Sequence, residues 1–214
     1  MLKIGYLLIF WIVACVFIIF ENINTNEIQV ENELIRKLAK SSSIFIKGIP
    51  AILASLFVLI MRSTDSLFFF ILVAALFFCF AGDIGIEKDI LVGLPLFLIT
   101  QLLFCLTFLC QVFIIGPSVE ILILSIVVTI VVVLYMFMFL RYLESSETGL
   151  GDFKIPVVAY CIVISLMFVS SFLLWGTLAK FEAIVVVLGA SAFVISDSII
   201  GIHEFHHKIS KNVL

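Results

Sequence analysis

Hydrophobic residues run along this chain in long blocks, which short polar connections separate. A transmembrane helix needs about 20 mostly apolar residues to cross the hydrocarbon core of a bilayer. Open sheets cannot pair their backbone groups in lipid, and no block alternates like a barrel strand. The sequence therefore predicts an all-α, polytopic membrane helix bundle of about seven helices. We number them spans 1 to 7: Ile4–Phe20, Ser43–Met61, Ser66–Ile84, Ile90–Phe113, Val119–Leu140, Ile155–Trp175 and Phe181–Ile202.

The connections predict a single transmembrane domain over residues 1–214. The polar segment 21–42 between spans 1 and 2 is too short to form a domain of its own. An interfacial helix and a solvated loop are both compatible with its pattern. Residues 203–214 form a short polar tail after span 7.

Composition narrows the class of protein. Hydrophobic residues make up 64% of the chain, charged residues 13%, and the mean hydropathy is +1.36. A soluble fold of this length needs a larger polar surface, so a soluble enzyme is excluded. The net charge of −3 argues against a nucleic-acid-binding protein, which needs a basic face. The bilayer itself is therefore the expected environment.

Cysteine and histidine give no metal or cofactor signal. The five cysteines lie in apolar runs without CxxC spacing, which is typical of buried free thiols. His203, His206 and His207 follow span 7, but no further ligand is nearby, and a solvated tail is the simpler interpretation. We predict neither a metal site nor a cofactor.

Lysine and arginine predict the orientation in the membrane, because they accumulate on the cytoplasmic side. One side collects only Lys3, Arg62 and Lys180. The N-terminus is therefore predicted outside and the C-terminus in the cytoplasm. The cytoplasmic set is Arg36, Lys37, Lys40, Lys47, Lys88, Arg141, Lys154, Lys208 and Lys211.

Four polar residues are predicted at one depth, in the cytoplasmic half of the bundle. Lys47 and Tyr160 lie in the first turns of spans 2 and 6, and Asp83 and Asp197 lie near the ends of spans 3 and 7. Ionisable groups in membrane spans are costly and usually functional. Other roles stay open: Lys47 extending to the headgroups, Asp83 as an interfacial residue, and Asp197 in a structural ion pair with Lys47.

Four stretches of the chain stand out as motifs: Lys47–Pro50, Ala81–Asp83, Pro156–Tyr160 with Met167, and Gly189–Ser198, which contains Ser196-Asp197. Their order and spacing, over roughly residues 43 to 205, resemble the YhhN-like family of membrane proteins, whose characterised members are lysoplasmalogenases. The stretch Gly189–Ser198 is the most specific of them. The family usually has His and Tyr where this chain has Gln101 and Phe104.

The resemblance implies an eight-helix fold and hydrolysis of the vinyl ether bond of lysoplasmalogens, which releases a fatty aldehyde and a glycerophospho-base. It assigns catalysis to two intramembrane aspartates, Asp83 and Asp197. A vinyl ether is labile to acid, and a carboxyl pair suits a reaction through an oxocarbenium ion. In this scheme Lys47 binds the substrate phosphate, and Tyr160 and Ser196 orient the acids.

Other classes of function remain open at this point. A non-catalytic lipid-binding protein is compatible with Gln101, Phe104 and the span count. A transporter would place both aspartates on an ion path, and broken helices at Gly48-Ile49-Pro50 or Gly93–Pro95 would support it. An intramembrane aspartyl protease also uses two aspartates, but its Tyr-Asp partner motif does not occur here.

Overall fold

The structure is a computed structural model that describes residues 12, 15, 16, 48–60, 67–146, 149–178 and 180–205. Most of span 1, the polar segment 21–42, Lys47 and the tail beyond Phe205 lie outside the described residues. Predictions that concern them stay predictions.

The described residues form helices at the predicted places, which confirms a polytopic helical membrane bundle. A short apolar helix, α1, comes first, and five helices long and apolar enough to cross a membrane follow it. Short 3-10 turns at Gly151–Phe153 and Leu174–Gly176 flank α5. The bounds are α1 Gly48–Ile60, α2 Leu67–Lys88, α3 Ile90–Ile115, α4 Val119–Glu144, α5 Lys154–Leu173 and α6 Lys180–Phe205.

Helix ends follow from local chemistry. The Asp89 carboxylate accepts a 2.9 Å hydrogen bond from the Leu91 backbone N–H and caps the start of α3. Gly116 has φ +82°, which suits the turn after α3, and the Ser118 hydroxyl caps α4. Helix α3 continues through Pro95, so the break at Gly93–Pro95 that would have supported a transporter does not occur.

Helix α4 shows most clearly that lipid is the surrounding solvent. Its buried residues form a single narrow stripe, and the other faces expose large apolar side chains. In water such a surface would be an aggregation hazard, whereas lipid solvates it at no cost. The stripe consists of Ser125, Val132, Met136 and Leu143.

The chain divides into two compact units, Met1–Leu103 and Phe104–Leu214, which we call unit 1 and unit 2. In unit 1, glycines bring α2 and the first half of α3 together. The Gly85 position approaches the Gly93 backbone so closely that a Cβ on Gly85 would lie 3.1 Å from the Gly93 Cα atom. Small residues of this kind allow close helix approach in membranes.

In unit 2, helix α5 packs against both α4 and α6. The connections are short, so consecutive helices are antiparallel, and the first turns of α5 lie beside the last turns of α4 and α6. Buried serines of α5 satisfy their hydroxyl groups within the helix: Ser170 donates to the Met167 carbonyl at 2.7 Å. This antiparallel arrangement sets which side chains of α5 and α6 meet.

Candidate active site around Asp197

Asp197 lies about two turns before the end of α6, within a membrane-spanning segment, and its side chain is half-buried. Tyr160, in the second turn of α5, donates a hydrogen bond from its hydroxyl to the Oδ2 atom of Asp197. Hydrogen bonds to a carboxylate are stronger than bonds between neutral groups. Unit 2 therefore holds an oriented carboxyl group inside an apolar helix pair.

A second tyrosine, Tyr135, makes a hydrogen bond to Ser198, the residue after Asp197. The Tyr135 hydroxyl on α4 donates to the Ser198 Oγ atom at 2.8 Å, and Ser198 donates in turn to the Val194 carbonyl at 2.6 Å. Ser198 is buried. Adjacent residues of α6 thus receive hydrogen bonds from two different neighbouring helices.

Aromatic and thiol side chains lie near Asp197 along α6 and α5. Phe193, one turn before Asp197, packs edge-on against Phe104 with ring centroids 6.0 Å apart. The buried Cys161 follows Tyr160 directly on α5. These neighbours give the Asp197 region an apolar wall, in which a carboxyl group interacts strongly with nearby charges.

Asp83 lies in unit 1, within α2 and between two glycines that face α3. A Cβ at Gly82 would lie 3.0 Å from the Phe97 ring, and Gly85 approaches Gly93. The half-buried Asp83 side chain is therefore set on a helix that is held close to α3 on both sides of it. At the same end of unit 1, the first residue of α1, Gly48, packs against Phe80.

Gln101, on α3, is fully buried, and neither its Oε1 nor its Nε2 atom has a hydrogen-bond partner in the described part of the chain. Its neighbour Thr100 is equally buried but donates its hydroxyl to the Leu96 carbonyl at 3.0 Å. A buried polar group normally finds a partner, because an unsatisfied amide costs free energy.

The family of this chain is shown by its match to a known protein family. The model of the YhhN family matches residues 42–213. This chain belongs to the YhhN family. No match was found among curated proteins or among solved structures.

In this YhhN protein, the structure brings together two of the five residues that the sequence singles out, Tyr160 and Asp197. Asp83 lies inside α2 and not in the following loop. The Ser196 side chain is exposed, and its hydroxyl makes no hydrogen bond within the described ranges. Lys47 lies outside the described residues.

Sequence reasoning missed Tyr135 and Ser198. Ser198 follows Asp197 directly, and Tyr135 stands near the cytoplasmic end predicted for span 5. Counting residues along a helix gives the depth of a side chain, but the choice between Ser196 and Ser198 depends on the rotation of α6. That rotation is a property of the packed YhhN bundle.

Within the described ranges, no group of three or more His, Cys, Asp or Glu side chains is placed to hold a metal ion. The Nδ1 atom of His203 lies 3.5 Å from the Oε1 atom of its neighbour Glu204, and both side chains are substantially exposed.

Proposed function

We propose that this protein is a membrane-embedded hydrolase that cleaves the vinyl ether bond of lysoplasmalogens. Membership of the YhhN family supports the assignment, and one structural observation carries it: the Asp197 carboxyl group is held by Tyr160 inside a membrane-spanning helix. The substrate is a lysophospholipid that reaches the protein from the bilayer.

The reaction needs acid and water and no other reagent. A proton adds to the double-bond carbon that is farther from the ether oxygen, which leaves an oxocarbenium ion. Water then adds to the carbon bonded to oxygen and loses a proton, giving a hemiacetal. The hemiacetal hydroxyl then loses its proton and its oxygen forms the aldehyde double bond, while the bond to the glycerol oxygen breaks and that oxygen takes up a proton. The products are a fatty aldehyde and the glycerophospho-base.

Two carboxyl groups match these demands, as they do in glycoside hydrolysis. We assign the roles to Asp83 and Asp197: one carboxylic acid donates the proton, and the other carboxylate stabilises the cation and accepts a proton from water. General acid catalysis of this kind contributes a factor of about 100 to 10,000. In the same proposal Lys47 binds the phosphate of the substrate. Tyr160 and Ser196 orient the acids, and Tyr160 does so through its hydrogen bond to Asp197.

Release of fatty aldehyde from a purified lysoplasmalogen in detergent tests the proposal. We expect aldehyde from the wild-type protein and none from Asp83→Asn or Asp197→Asn, since an amide neither donates the proton nor carries the negative charge. Tyr160→Phe should retain activity that is about 10-fold to 100-fold lower, as expected for losing one hydrogen bond to a charged group.

Asp152→Asn is the matched control, because Asp152 is exposed in the 3-10 turn before α5. It removes a carboxyl group from the same end of unit 2 and should leave turnover unchanged. Full activity in Asp83→Asn or Asp197→Asn would refute the two-acid mechanism. A folded wild-type protein that releases no aldehyde would refute the hydrolase and favour lipid binding or transport.

A further inference from the structure

Two tyrosine hydroxyl groups reach α6 at the same level from two helices. Tyr160 on α5 bonds Asp197, and Tyr135 on α4 bonds Ser198. Consecutive residues of an α-helix point about 100° apart, so the two bonds hold α6 from two directions. Together the two bonds restrict the rotation of α6 about its axis more than either bond would alone.

The hydrogen bonds of Ser198 have a defined direction. A serine hydroxyl has one proton, and the Ser198 proton is donated to the Val194 carbonyl. Ser198 therefore accepts the proton of the Tyr135 hydroxyl. The Tyr135 ring is 40% exposed and stacks on Phe139, while its hydroxyl group reaches the buried Ser198. The hydroxyl bond, rather than burial of the ring, is the specific link between α4 and α6 at this level.

Gly201 allows this contact. A Cβ at Gly201 would lie 3.0 Å from the Phe139 ring, so the ring of Phe139 rests against α6 about one turn beyond Ser198. Tyr135 and Phe139 on α4 thus face Ser198 and Gly201 on α6 in matching order, as expected for two parallel helices. The Phe139 contact and the hydroxyl bond act on the same face of α6.

We propose that Tyr135 is a positioning residue: through Ser198 it fixes the rotation of α6 and so keeps the Asp197 carboxyl group against Tyr160. The effect of Tyr135 on catalysis rests on the proposed function, whereas its effect on the rotation of α6 does not. A side chain displaced by about 1 Å can lower a reaction rate about 100-fold. The Tyr135–Ser198 bond therefore affects the reaction without touching the substrate.

Kinetics of aldehyde release test the catalytic consequence. Tyr135→Phe and Ser198→Ala should each lower kcat about 10-fold to 100-fold and leave KM unchanged, because the reacting group moves while the binding surface stays. The double variant should lose no more than the stronger single variant, since both changes remove one bond. Ser198→Thr, which keeps the hydroxyl, should retain kcat near the wild-type value.

Thr129→Val is the matched control. It removes another hydroxyl from α4, one that donates to the Ser125 carbonyl of its own helix, and should leave kcat unchanged. The proposal is overturned if Tyr135→Phe keeps the wild-type kcat, if Thr129→Val loses as much, or if the losses from Tyr135→Phe and Ser198→Ala multiply.

Infrared spectroscopy tests the geometric consequence without any substrate. The difference spectrum between wild type and Asp197→Asn isolates the carboxyl band of Asp197. In Tyr135→Phe this band should move toward its position in Tyr160→Phe, because Tyr160→Phe removes the Tyr160–Asp197 bond and Tyr135→Phe loosens it. A band at the wild-type position would overturn the proposal, whereas absence of aldehyde release in the wild type would refute only the hydrolase.

Discussion

At the scale of single residues, Asp197 and Gln101 show two ways of placing a polar group in a membrane helix. Asp197 has the Tyr160 hydroxyl as its partner, whereas Gln101 is fully buried without a hydrogen bond in the part of the chain that the structure describes. An amide without a partner destabilises the folded state, because its desolvation is not compensated. Replacing Gln101 should therefore stabilise the folded protein, whereas replacing Asp197 removes a group that has a hydrogen-bond partner.

Replacement of Gln101 by methionine should stabilise the protein. Methionine fills a similar volume and carries no amide to desolvate, so the free energy of unfolding should rise by up to about 1 to 3 kcal/mol. Thermal unfolding in detergent measures the effect. Thr100→Val, which removes a buried hydroxyl that has a partner, is the control and should lower the stability slightly. A Gln101→Met protein that melts below the wild type would contradict this account.

The sequence predicted part of the residue-scale arrangement. Tyr160 and Asp197 were expected at one depth, because a helix rises 1.5 Å per residue and a short connection makes α5 and α6 antiparallel. Ser196 was the serine expected to orient the acids, but the hydrogen bond to a tyrosine is made by Ser198. Depth follows from counting, whereas rotation about the helix axis follows from packing.

At the scale of helices, glycine decides how closely neighbours approach. A Cβ on Gly93 would lie 2.6 Å from the Ile86 backbone, which cannot move aside as a flexible side chain would. Gly189, on α6, has no atom within 4 Å of its Cβ position. Gly93 therefore lies in a tight contact between helices, whereas Gly189 borders open space.

Gly93→Ala should force α2 and α3 apart and lower the free energy of unfolding by about 1 to 3 kcal/mol, the usual cost of overpacking. Since Asp83 lies on α2 beside this contact, turnover should fall as well. Gly189→Ala is the control and should leave stability equal or raise it by up to about 1 kcal/mol, since alanine favours the helix. Thermal unfolding and aldehyde release are the measurements. Equal melting temperatures for the two variants would contradict the packing argument.

Helix positions were predictable because apolar length is a strong signal. Span 4, Ile90–Phe113, corresponds to α3 at Ile90–Ile115, and span 5, Val119–Leu140, to α4 at Val119–Glu144. The end of α4 extends beyond the predicted one because Arg141 and Glu144 continue the helix into the interface, where the hydropathy pattern has already ended.

At the scale of the whole molecule, the orientation in the membrane remains a prediction. Helix α4 has 26 residues, enough to cross the bilayer, so the segments at its two ends lie on opposite sides. The distribution of lysine and arginine predicts that the segment containing Asp152 is cytoplasmic and that Ser118 is outside.

Cysteine labelling in intact cells tests the orientation. In a protein whose five native cysteines are replaced by alanine, a membrane-impermeant maleimide should label Ser118→Cys and not Asp152→Cys. Both should react after the membrane is permeabilised, which controls for accessibility. Labelling of Asp152→Cys alone in intact cells would reverse the predicted orientation.

The sequence by itself determined the environment, the helices and the candidate acids of this protein, because apolar length and rare intramembrane charges are read along the chain. Only the tertiary structure decided which hydroxyl groups meet Asp197 and Ser198, how closely α2 approaches α3, and that Gln101 is buried without a hydrogen bond in the described part of the chain. The physical reason is that these features depend on helix rotation and separation. Many side chains on neighbouring helices set both jointly, and no single stretch of sequence contains them.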